Sequence, residues 1–346
     1  MQRTGTANRE STLRSRVAAW AIGLVAAAAL SGCSVNPATG ERIFTLYSWD
    51  QETQLGAQAF APMVQEYGGE VSDPVLRDFT TRVGLSLVPH VEDGVPELPW
   101  SFTLLDSDVI NAFALPGGKV FMSRGLAEQF TSEAEFAAVI GHEIGHVTAR
   151  HGNQRMSQQA AFTTGLTIGA LAVDAAGDGS KIGQYGKLAI PALNIGGNVV
   201  LLSYGRDQEL EADMLGVRYM VRAGYDPIGA LGVQQLLKQA SGGAGGGAFG
   251  DLLATHPSSD SRIDQIQSLL RGQYAYTQNN PEFREFGDRY AREFLSRLSA
   301  LPSPEHPAPG SRGALMLAAQ RGHGHDPALA VAGGPMSWCW HCINAN

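Results

Sequence analysis

The amino-acid sequence predicts an α+β fold that is mainly α-helical, with a small β-hairpin before its central helix. Apolar residues recur with helical spacing in several segments, from Asp50–Tyr67 near the start to Pro281–Leu301 near the end. Between them, residues 100–104 alternate apolar and polar side chains, as in a half-buried strand. A Pro-Gly-Gly turn at 116–118 then separates two short apolar segments, which indicates a hairpin.

The first 32 residues have the composition of a targeting segment. An arginine-rich start is followed by the apolar run Val17–Leu30, which is shorter than the roughly 20 residues of a membrane-spanning helix. The next residues, Leu30-Ser31-Gly32-Cys33, resemble a bacterial lipobox, in which the chain is cleaved before Cys33 and the cysteine is lipidated. We therefore expect residues 1–32 to be a lipoprotein signal peptide. A plain signal peptide or an N-terminal anchor helix is the alternative.

The composition argues against some classes of protein. The formal net charge of the 346 residues is −8, and it becomes −11 when the four arginines and one glutamate of residues 1–32 are removed. An acidic chain without a basic patch does not predict nucleic-acid binding. The cysteines after Cys33 are Cys339 and Cys342, so no disulfide framework holds the predicted core. We expect one domain over 33–301 and a disordered tail over 302–346.

Further elements follow in chain order. Asn36–Gly40 has turn chemistry and is expected to form a short tether. Asp73-Pro74 opens a second helix that runs to about Val88, since proline is favoured in the first turn. The later helices are predicted at 204–223, 260–270 and 281–301, with a glycine-rich link at 241–250.

Two apolar runs, Ala160–Val173 and Leu188–Leu202, are too short to read as membrane spans. Both are expected to form helices and loops packed beside or over a functional site. Contact with a membrane surface is the alternative.

The central helix contains His142-Glu143-Ile144-Gly145-His146, the H-E-x-x-H spacing of zinc-protease sites. Residues four apart lie on one helix face, so His142 and His146 can direct two imidazoles at one metal ion. Glu143 lies about 100° around the helix from His142, where its carboxylate can act as general base on a water at the metal without binding the ion. Ser132 or Thr131 is the predicted N-cap, with Glu135 completing a capping box from Ser132.

A catalytic zinc site has three protein ligands, so a third one is expected downstream. The metzincin pattern needs glycine at 149 and histidine at 152, where the sequence has Ala149 and Gly152. A glutamate on a second helix is the alternative. Glu209 and Asp213 are four residues apart and share a helix face, so Glu209 is the predicted ligand. Asp213 is then expected to accept a hydrogen bond from a ligand imidazole.

Two nearby residues are expected to take no part in metal binding. Glu211 lies between the two acidic residues and is predicted to point roughly the other way from the metal. His151 is near the end of the central helix, where a cation complements the helix dipole, and is read as structural.

These motifs together resemble those of M48-type peptidases, a gluzincin family that includes periplasmic lipoproteins. The matching residues are Asn111–Gly118, the H-E-I-G-H motif, Glu209-x-x-Ala-Asp213, His256-Pro257 and Arg262. The resemblance covers roughly residues 36–300. It implies a zincin-like metalloprotease core, with one Zn²⁺ per chain held by His142, His146 and Glu209 and with Glu143 as the general base.

The resemblance also implies roles for residues whose spacing alone predicts none. His256 and Arg262 take active-site positions as catalytic residues, and one of the two is expected to stabilise the oxyanion. The alternative for His256 is to visit the open zinc position in a resting state. Asn111, Ala112 and Phe113 resemble the substrate-binding edge strand of thermolysin-like enzymes. Backbone pairing with a peptide is a known mode of recognition, and a purely structural hairpin is the alternative.

The expected function is that of a zinc endopeptidase for misfolded or unassembled cell-envelope proteins. The expected location is the periplasmic side of the outer membrane, through a lipid at Cys33. Residue 34 is serine rather than aspartate, and the resemblance to bacterial lipoproteins implies that this favours outer-membrane sorting over inner-membrane retention. The alternative is a metal-stabilised chaperone or assembly factor for envelope proteins. The presence of Glu143 argues against that alternative, because a scaffold needs the ligands but not the base.

Overall fold

The computed structural model of the protein describes residues 33–175, 203–241 and 249–304. Its strands are β1 (Cys33–Val35), β2 (Arg42–Phe44), β3 (Ser101–Leu105), β4 (Ala112–Leu115) and β5 (Lys119–Ser123). Its longer helices are α1 (Trp49–Glu66), α2 (Pro74–Leu87), α4 (Glu133–Thr148), α5 (His151–Ala175), α6 (Arg206–Arg222), α7 (Ile228–Ser241) and α9 (Asp260–Arg271). Its shorter helices are α3 (Arg124–Ala127), α8 (Gly250–Thr255), α10 (Gly287–Tyr290) and α11 (Ser296–Leu298). The predicted fold class, α+β and mainly helical, is confirmed.

Four of the sequence-based predictions fall wholly or mostly outside these described residues. They are the signal peptide at 1–32, the apolar run Leu188–Leu202, the glycine-rich link at 241–250, and almost all of the tail that begins at residue 302.

The three-stranded sheet has the order β3-β5-β4. β3 runs parallel to β5, and β4 runs antiparallel to it, so the predicted hairpin is confirmed. Gly117 and Gly118 form its turn with φ values of 75° and 85°, a conformation that glycine adopts without steric cost. β4 is thus an edge strand among the described residues, and it packs directly against α4.

Helix α4 is the centre of the core. Its N-cap is Ser132, whose hydroxyl accepts from Glu135 N at 3.2 Å while the Glu135 carboxylate accepts from Ser132 N at 3.1 Å. The predicted capping box is therefore present. Every residue from Phe136 to Thr148 is buried, because β4, α2, α6 and α7 all pack around the helix. The H-E-x-x-H motif thus lies in the interior of the protein.

Glycines allow α4 and α6 to approach closely at the level of the motif. A Cβ on Gly216 of α6 would lie 2.9 Å from the His142 backbone nitrogen, and one on Gly141 would lie 3.2 Å from Gly216 O. Real Cβ atoms do not approach backbone to the first of these distances, so a side chain at 216 would push the helices apart. This contact brings the acidic segment of α6 to the two histidines.

The prediction of one helix over Pro281–Leu301 is wrong in its first part. Helical structure begins only at Gly287, and Phe286 before it has a left-handed φ of 54°. Residues 281–283 form a turn and a bend, and Arg284 forms a β-bridge with Tyr225. Asp226 N donates to Arg284 O at 3.0 Å, which a helical Arg284 would not allow.

Several elements were not anticipated from the sequence, among them the short helices α3 and α8. Helix α7 lies in a segment for which no element was predicted, and it packs against both α4 and α9. β1 and β2 form an antiparallel hairpin around the predicted Asn36–Gly40 turn, so this segment is a folded part of the domain and not a simple tether.

No helix among the described residues combines the length and apolarity that crossing a bilayer requires. The run Ala160–Val173 lies within α5.

Candidate metal centre and active site

Four side chains of the types that bind metals meet beside α4. One ligand atom from each of His142, His146, Glu209 and His256 lies within 4.8 Å of the other three, and all four residues are buried. His142 Nε2 and His146 Nε2 are 3.0 Å apart. The Glu209 carboxylate oxygens lie 3.4 Å from each of these nitrogens. The structure therefore brings together the three predicted ligands, with His256 as a fourth neighbour.

The arrangement follows from helical geometry. His142 and His146 lie one turn apart on the buried face of α4, and Glu209 lies in the first turn of α6. Because α6 crosses α4 in close contact, the Glu209 carboxylate faces both imidazoles.

Asp213 contacts the rear of His142, as predicted. His142 Nδ1 donates to Asp213 Oδ1 at 2.9 Å, so Nε2 is the ring nitrogen that faces the cluster and would bind a metal. Burial opposes a charge on this imidazole, but its hydrogen bonds to Asp213 and Glu209 raise its pKa to about 9 when no metal is bound. Burial lowers the pKa of His146 well below its usual range.

Arg262 of α9 lies behind the carboxylates. Its Nε and Nη2 donate to the two Asp213 oxygens at 2.6 and 2.7 Å, and its Nη1 lies 2.6 Å from Glu209 Oε2. The residue is only 2% exposed. Burial alone would raise the pKa of Asp213, but the charge of Arg262 holds it below its usual range. The guanidinium is thus engaged by Asp213 and Glu209.

Glu143 is adjacent to the cluster without belonging to it. It is 1% exposed, and no described residue hydrogen-bonds to its Oε2. Its Oε1 lies 3.5 Å from His256 Nε2. Burial raises the pKa of this carboxyl, against the opposing effect of His256 and His142. A carboxylate with a raised pKa is suited to accept and return a proton.

His256 enters the cluster from the end of α8. Its Nδ1 lies 3.3 Å from His142 Nε2 and 3.1 Å from Glu209 Oε1. No hydrogen-bond partner of its Nε2 exists in the described part of the chain. His256 Nδ1 therefore lies among the candidate ligand atoms.

The residues present fit a zinc ion. Two imidazoles and one glutamate are the ligand set of one class of catalytic zinc sites. The ligand atoms of His142, His146 and Glu209 are buried and converge within 4.8 Å of one another, a spacing that suits one cation bound between them.

Asn111, Ala112 and Phe113 lie at the start of the edge strand. The Asn111 amide donates to Tyr67 Oη at 3.0 Å, and Asn111 O accepts from Ser123 N at 3.0 Å. Hydrogen-bonded and non-bonded residue pairs alternate along an antiparallel ladder, so the backbone groups of Ala112 face away from β5. Asn111, Ala112 and Phe113 are 1%, 0% and 3% exposed, so the start of this strand is covered in the structure, whereas Ala114 further along it is partly exposed.

A mainly apolar pocket opens beside His142 and Glu143. It is lined by residues of α4, α6 and α7 that include Val139, Val217, Val233 and Leu237. Gln234 also lines it, and its Oε1 is buried without a hydrogen-bond partner among the described residues. The contribution of α7 was missed because no helix was predicted there.

Tyr204 is a further neighbour that the sequence did not indicate. Its ring stacks on His146, with 3.8 Å between ring centroids and 17° between planes. It precedes α6 by two residues, and no local pattern marks an aromatic side chain at that position.

Comparison with protein families agrees with this geometry. The model of peptidase family M48 matches residues 81–270, a span that contains every residue of the cluster. The match covers more than half of the chain.

Several characterised proteins are similar to this chain. The beta-barrel assembly-enhancing protease of Escherichia coli strain K12 is 29% identical over 256 residues, which are 74% of this chain and 51% of that protein. The mitochondrial metalloendopeptidase OMA1 of Schizosaccharomyces pombe is 31% identical over 236 residues, 68% of this chain and 65% of that protein. The protein of the same name from Arabidopsis thaliana is 34% identical over 166 residues, 48% of this chain and 30% of that protein. The chain thus spans about half the length of the bacterial relative.

Proposed function

The chain belongs to peptidase family M48, and we propose that it is a zinc-dependent endopeptidase for proteins of the bacterial cell envelope. One observation carries the proposal most strongly. Glu143 lies beside the cluster of His142, His146 and Glu209 with a carboxylate oxygen that no described residue engages. A metal scaffold would need the three ligands, whereas a peptidase also needs this base.

Each residue has a defined task in peptide hydrolysis. A zinc ion held by His142, His146 and Glu209 would supply Lewis acidity, which polarises a carbonyl and lowers the pKa of water. Glu143 accepts a proton from the attacking water and returns it to the leaving amine. The edge strand β4 is proposed to align an extended peptide through the backbone groups that face away from β5; of the two residues that carry them, Ala114 is partly exposed and Ala112 is covered in this structure. The apolar pocket beside Glu143 is proposed to accept one side chain of the peptide.

Asp213 and Arg262 act on the ligands and not on the substrate in this account. Asp213 fixes the tautomer of His142, and Arg262 holds the carboxylates of Asp213 and Glu209 in place. We assign both to positioning because their side chains are buried and engaged with each other.

His256 is proposed to close the site in a resting state. A catalytic zinc keeps one coordination position open for water or substrate. The contact of His256 Nδ1 with the other ligand atoms supports its occupation of that position. Stabilisation of the oxyanion is the alternative, and it would require the imidazole to leave this position.

Envelope proteins are proposed as substrates for two reasons. The sequence carries a predicted lipoprotein signal with Cys33 as the lipidation site, which would tether the protein to the periplasmic side of the outer membrane. Relatives such as that of Escherichia coli are named for the assembly of β-barrels. The expected role is therefore quality control of misfolded or unassembled envelope proteins.

Comparison of envelope proteomes tests this role. Cells that express the wild-type protein and cells that express Glu143→Gln would be compared by mapping new protein N-termini in the envelope fraction. Cleavage products of envelope proteins are expected only with the wild type. Identical products in both strains, together with full rescue of envelope defects by Glu143→Gln, would favour a chaperone or assembly factor.

A second experiment tests the proposed anchor. Cys33→Ala is expected to abolish acylation, detected as the loss of the lipid mass, and to shift the protein out of the membrane fraction. Unchanged mass and fractionation would contradict lipidation at Cys33 and leave the peptidase proposal unaffected.

A further inference from the structure

The second metal-facing histidine has its own partner on the side away from the cluster. His146 Nδ1 lies 2.8 Å from His151 Nδ1, and His151 Nε2 lies 3.2 Å from Glu211 Oε2. His151 is completely buried, and the Glu211 side chain is 19% exposed. The three side chains thus form a continuous series of hydrogen bonds from the partly exposed Glu211 to the group of candidate metal ligands.

A break between two helices produces this contact. Residues five apart on a continuous α-helix lie about 140° apart around its axis and do not face each other. Arg150 has a φ of 58°, which ends α4 and lets His151 begin α5 beside His146. This uncommon conformation is held by Glu52 of α1, whose Oε1 accepts from Arg150 Nε at 2.8 Å.

The acidic segment of α6 reaches the cluster from both sides. Glu211 faces away from Glu209 and Asp213, as helical spacing predicts, and it contacts His151 on that side. It reaches His146 through His151, whereas Asp213 contacts His142 directly.

With a neutral His151, the partners in this chain of contacts fix the tautomers of both histidines. A carboxylate only accepts, so His151 carries its proton on Nε2 toward Glu211. The Nδ1 of a neutral His151 is then an acceptor, and His146 must donate from its own Nδ1. His146 Nε2 is left with a lone pair, and this is the atom that faces His142 Nε2 and Glu209. A doubly protonated His151 would instead place the His146 proton on Nε2, where it would block a metal.

We propose that Glu211 and His151 are positioning residues that hold His146 in the tautomer and orientation needed to bind zinc. The proposal rests on zinc binding by His146, as set out above. Both histidines of the motif are then oriented by carboxylates of one helix, one directly and one through an imidazole.

The N-terminal hairpin supports the same chain of contacts. Asn36 Nδ2 donates to Glu211 Oε1 at 2.6 Å, and Asn36 is 1% exposed. Its own Oδ1 accepts from Ala38 N at 2.9 Å, which fixes the amide so that its donor faces Glu211. The turn that follows Cys33 therefore fixes the second carboxylate oxygen of Glu211.

Zinc affinity tests the proposal without reference to peptidase activity. The dissociation constant for zinc would be measured by chelator competition on Glu211→Ala, His151→Leu and the double variant. Asp207→Ala is the matched control, because it removes an exposed carboxylate from the same helix. Asp213→Asn and Glu209→Gln report on the zinc site itself.

Loss of an outer partner of a ligand typically weakens metal binding about 10–100-fold. Glu211→Ala and His151→Leu are each expected to fall in this range, with Asp207→Ala unchanged. The double variant is expected to lose no more zinc affinity than the single variant that binds zinc more weakly, because Glu211 and His151 act through the same series of hydrogen bonds. Asn36→Ala is expected to weaken zinc binding by a smaller factor, since Glu211 keeps its contact with His151.

The tautomer itself can be observed in metal-free protein labelled with ¹⁵N-histidine. The ring nitrogen shifts of His146 are expected to report a proton on Nδ1 in the wild type and a mixture of tautomers in Glu211→Ala. A loss of packing alone would not change this signature. Glu211 is partly exposed, so this variant remains informative even if His151→Leu fails to fold.

Two results separate failure of this proposal from failure of the zinc site. Unchanged zinc affinity and an unchanged His146 tautomer in Glu211→Ala, with weakened binding in Asp213→Asn and Glu209→Gln, would overturn the positioning role alone. If Glu209→Gln and Asp213→Asn also bind zinc with wild-type affinity, the proposed zinc site is overturned, and the positioning role with it.

Discussion

Arg262 binds both oxygens of Asp213, with Nε 2.6 Å from Oδ2 and Nη2 2.7 Å from Oδ1. This paired contact lies in the interior, directly behind His142. Arg262 is therefore one of the groups that position the candidate zinc ligands.

Arg262→Met is expected to lower the free energy of unfolding by about 3–5 kcal/mol, because it leaves the Asp213 carboxylate buried and unpaired. It should also weaken zinc binding. Arg262→Lys is expected to lie between the wild type and Arg262→Met, since lysine keeps the charge but not the planar two-donor geometry. Chemical denaturation and chelator competition measure both effects. Unchanged stability and zinc affinity with a reduced kcat would instead assign Arg262 to the oxyanion.

The features of this site that could be predicted from the sequence are those that depend on residues close together in the chain. Helical spacing predicts which residues of α4, and which of α6, face the metal, and a local sequence pattern predicts the cap at Ser132. Each of these features depends only on residues within one helix. The pairing of α4 with α6 was inferred only from the need for a third ligand, and Gly141 and Gly216 show how the helices approach closely enough.

The missed features depend on contacts between distant segments. Glu211 was expected to face away from the metal, which is correct for its helix, but the partner that connects it to His146 comes from another helix. That partner is in place because Arg150 adopts a left-handed conformation held by Glu52, about 100 residues earlier in the chain. Arg284, before Gly287, is likewise held by backbone hydrogen bonds with Gly224 and Asp226, against the local helical pattern.

Gly216→Ala is expected to destabilise the protein. The added Cβ would lie 2.9 Å from His142 N, and overpacking of this kind typically costs about 1–3 kcal/mol. Displacement of His142 should also weaken zinc binding. Gly165→Ala in α5 is the control, because its Cβ meets no described atom within 4 Å. Alanine at this helical position should raise the free energy of unfolding by about 0.5–1 kcal/mol. Equal denaturation midpoints for Gly216→Ala and the wild type would contradict the close helix contact.

His256→Ala is expected to keep bound zinc, because His142, His146 and Glu209 remain, and to raise kcat toward an unstructured polypeptide. The reason is that the variant lacks the group proposed to close the site. Zinc content by mass spectrometry and hydrolysis of fluorescein-labelled casein provide the two measurements. A fall in kcat of about 10²–10³-fold with full zinc content would show that His256 stabilises the oxyanion instead.

The central claim is that Glu143 is the general base of a zinc peptidase, and Glu143→Gln in purified protein tests it most directly. The measurement is kcat for hydrolysis of labelled casein at equal zinc content, with Glu209→Gln as the comparison. Glu143→Gln should bind zinc as the wild type does while kcat falls by about 10²–10⁴-fold. Glu209→Gln should lose zinc affinity together with activity, since it weakens a ligand. Wild-type kcat in zinc-loaded Glu143→Gln would contradict the account.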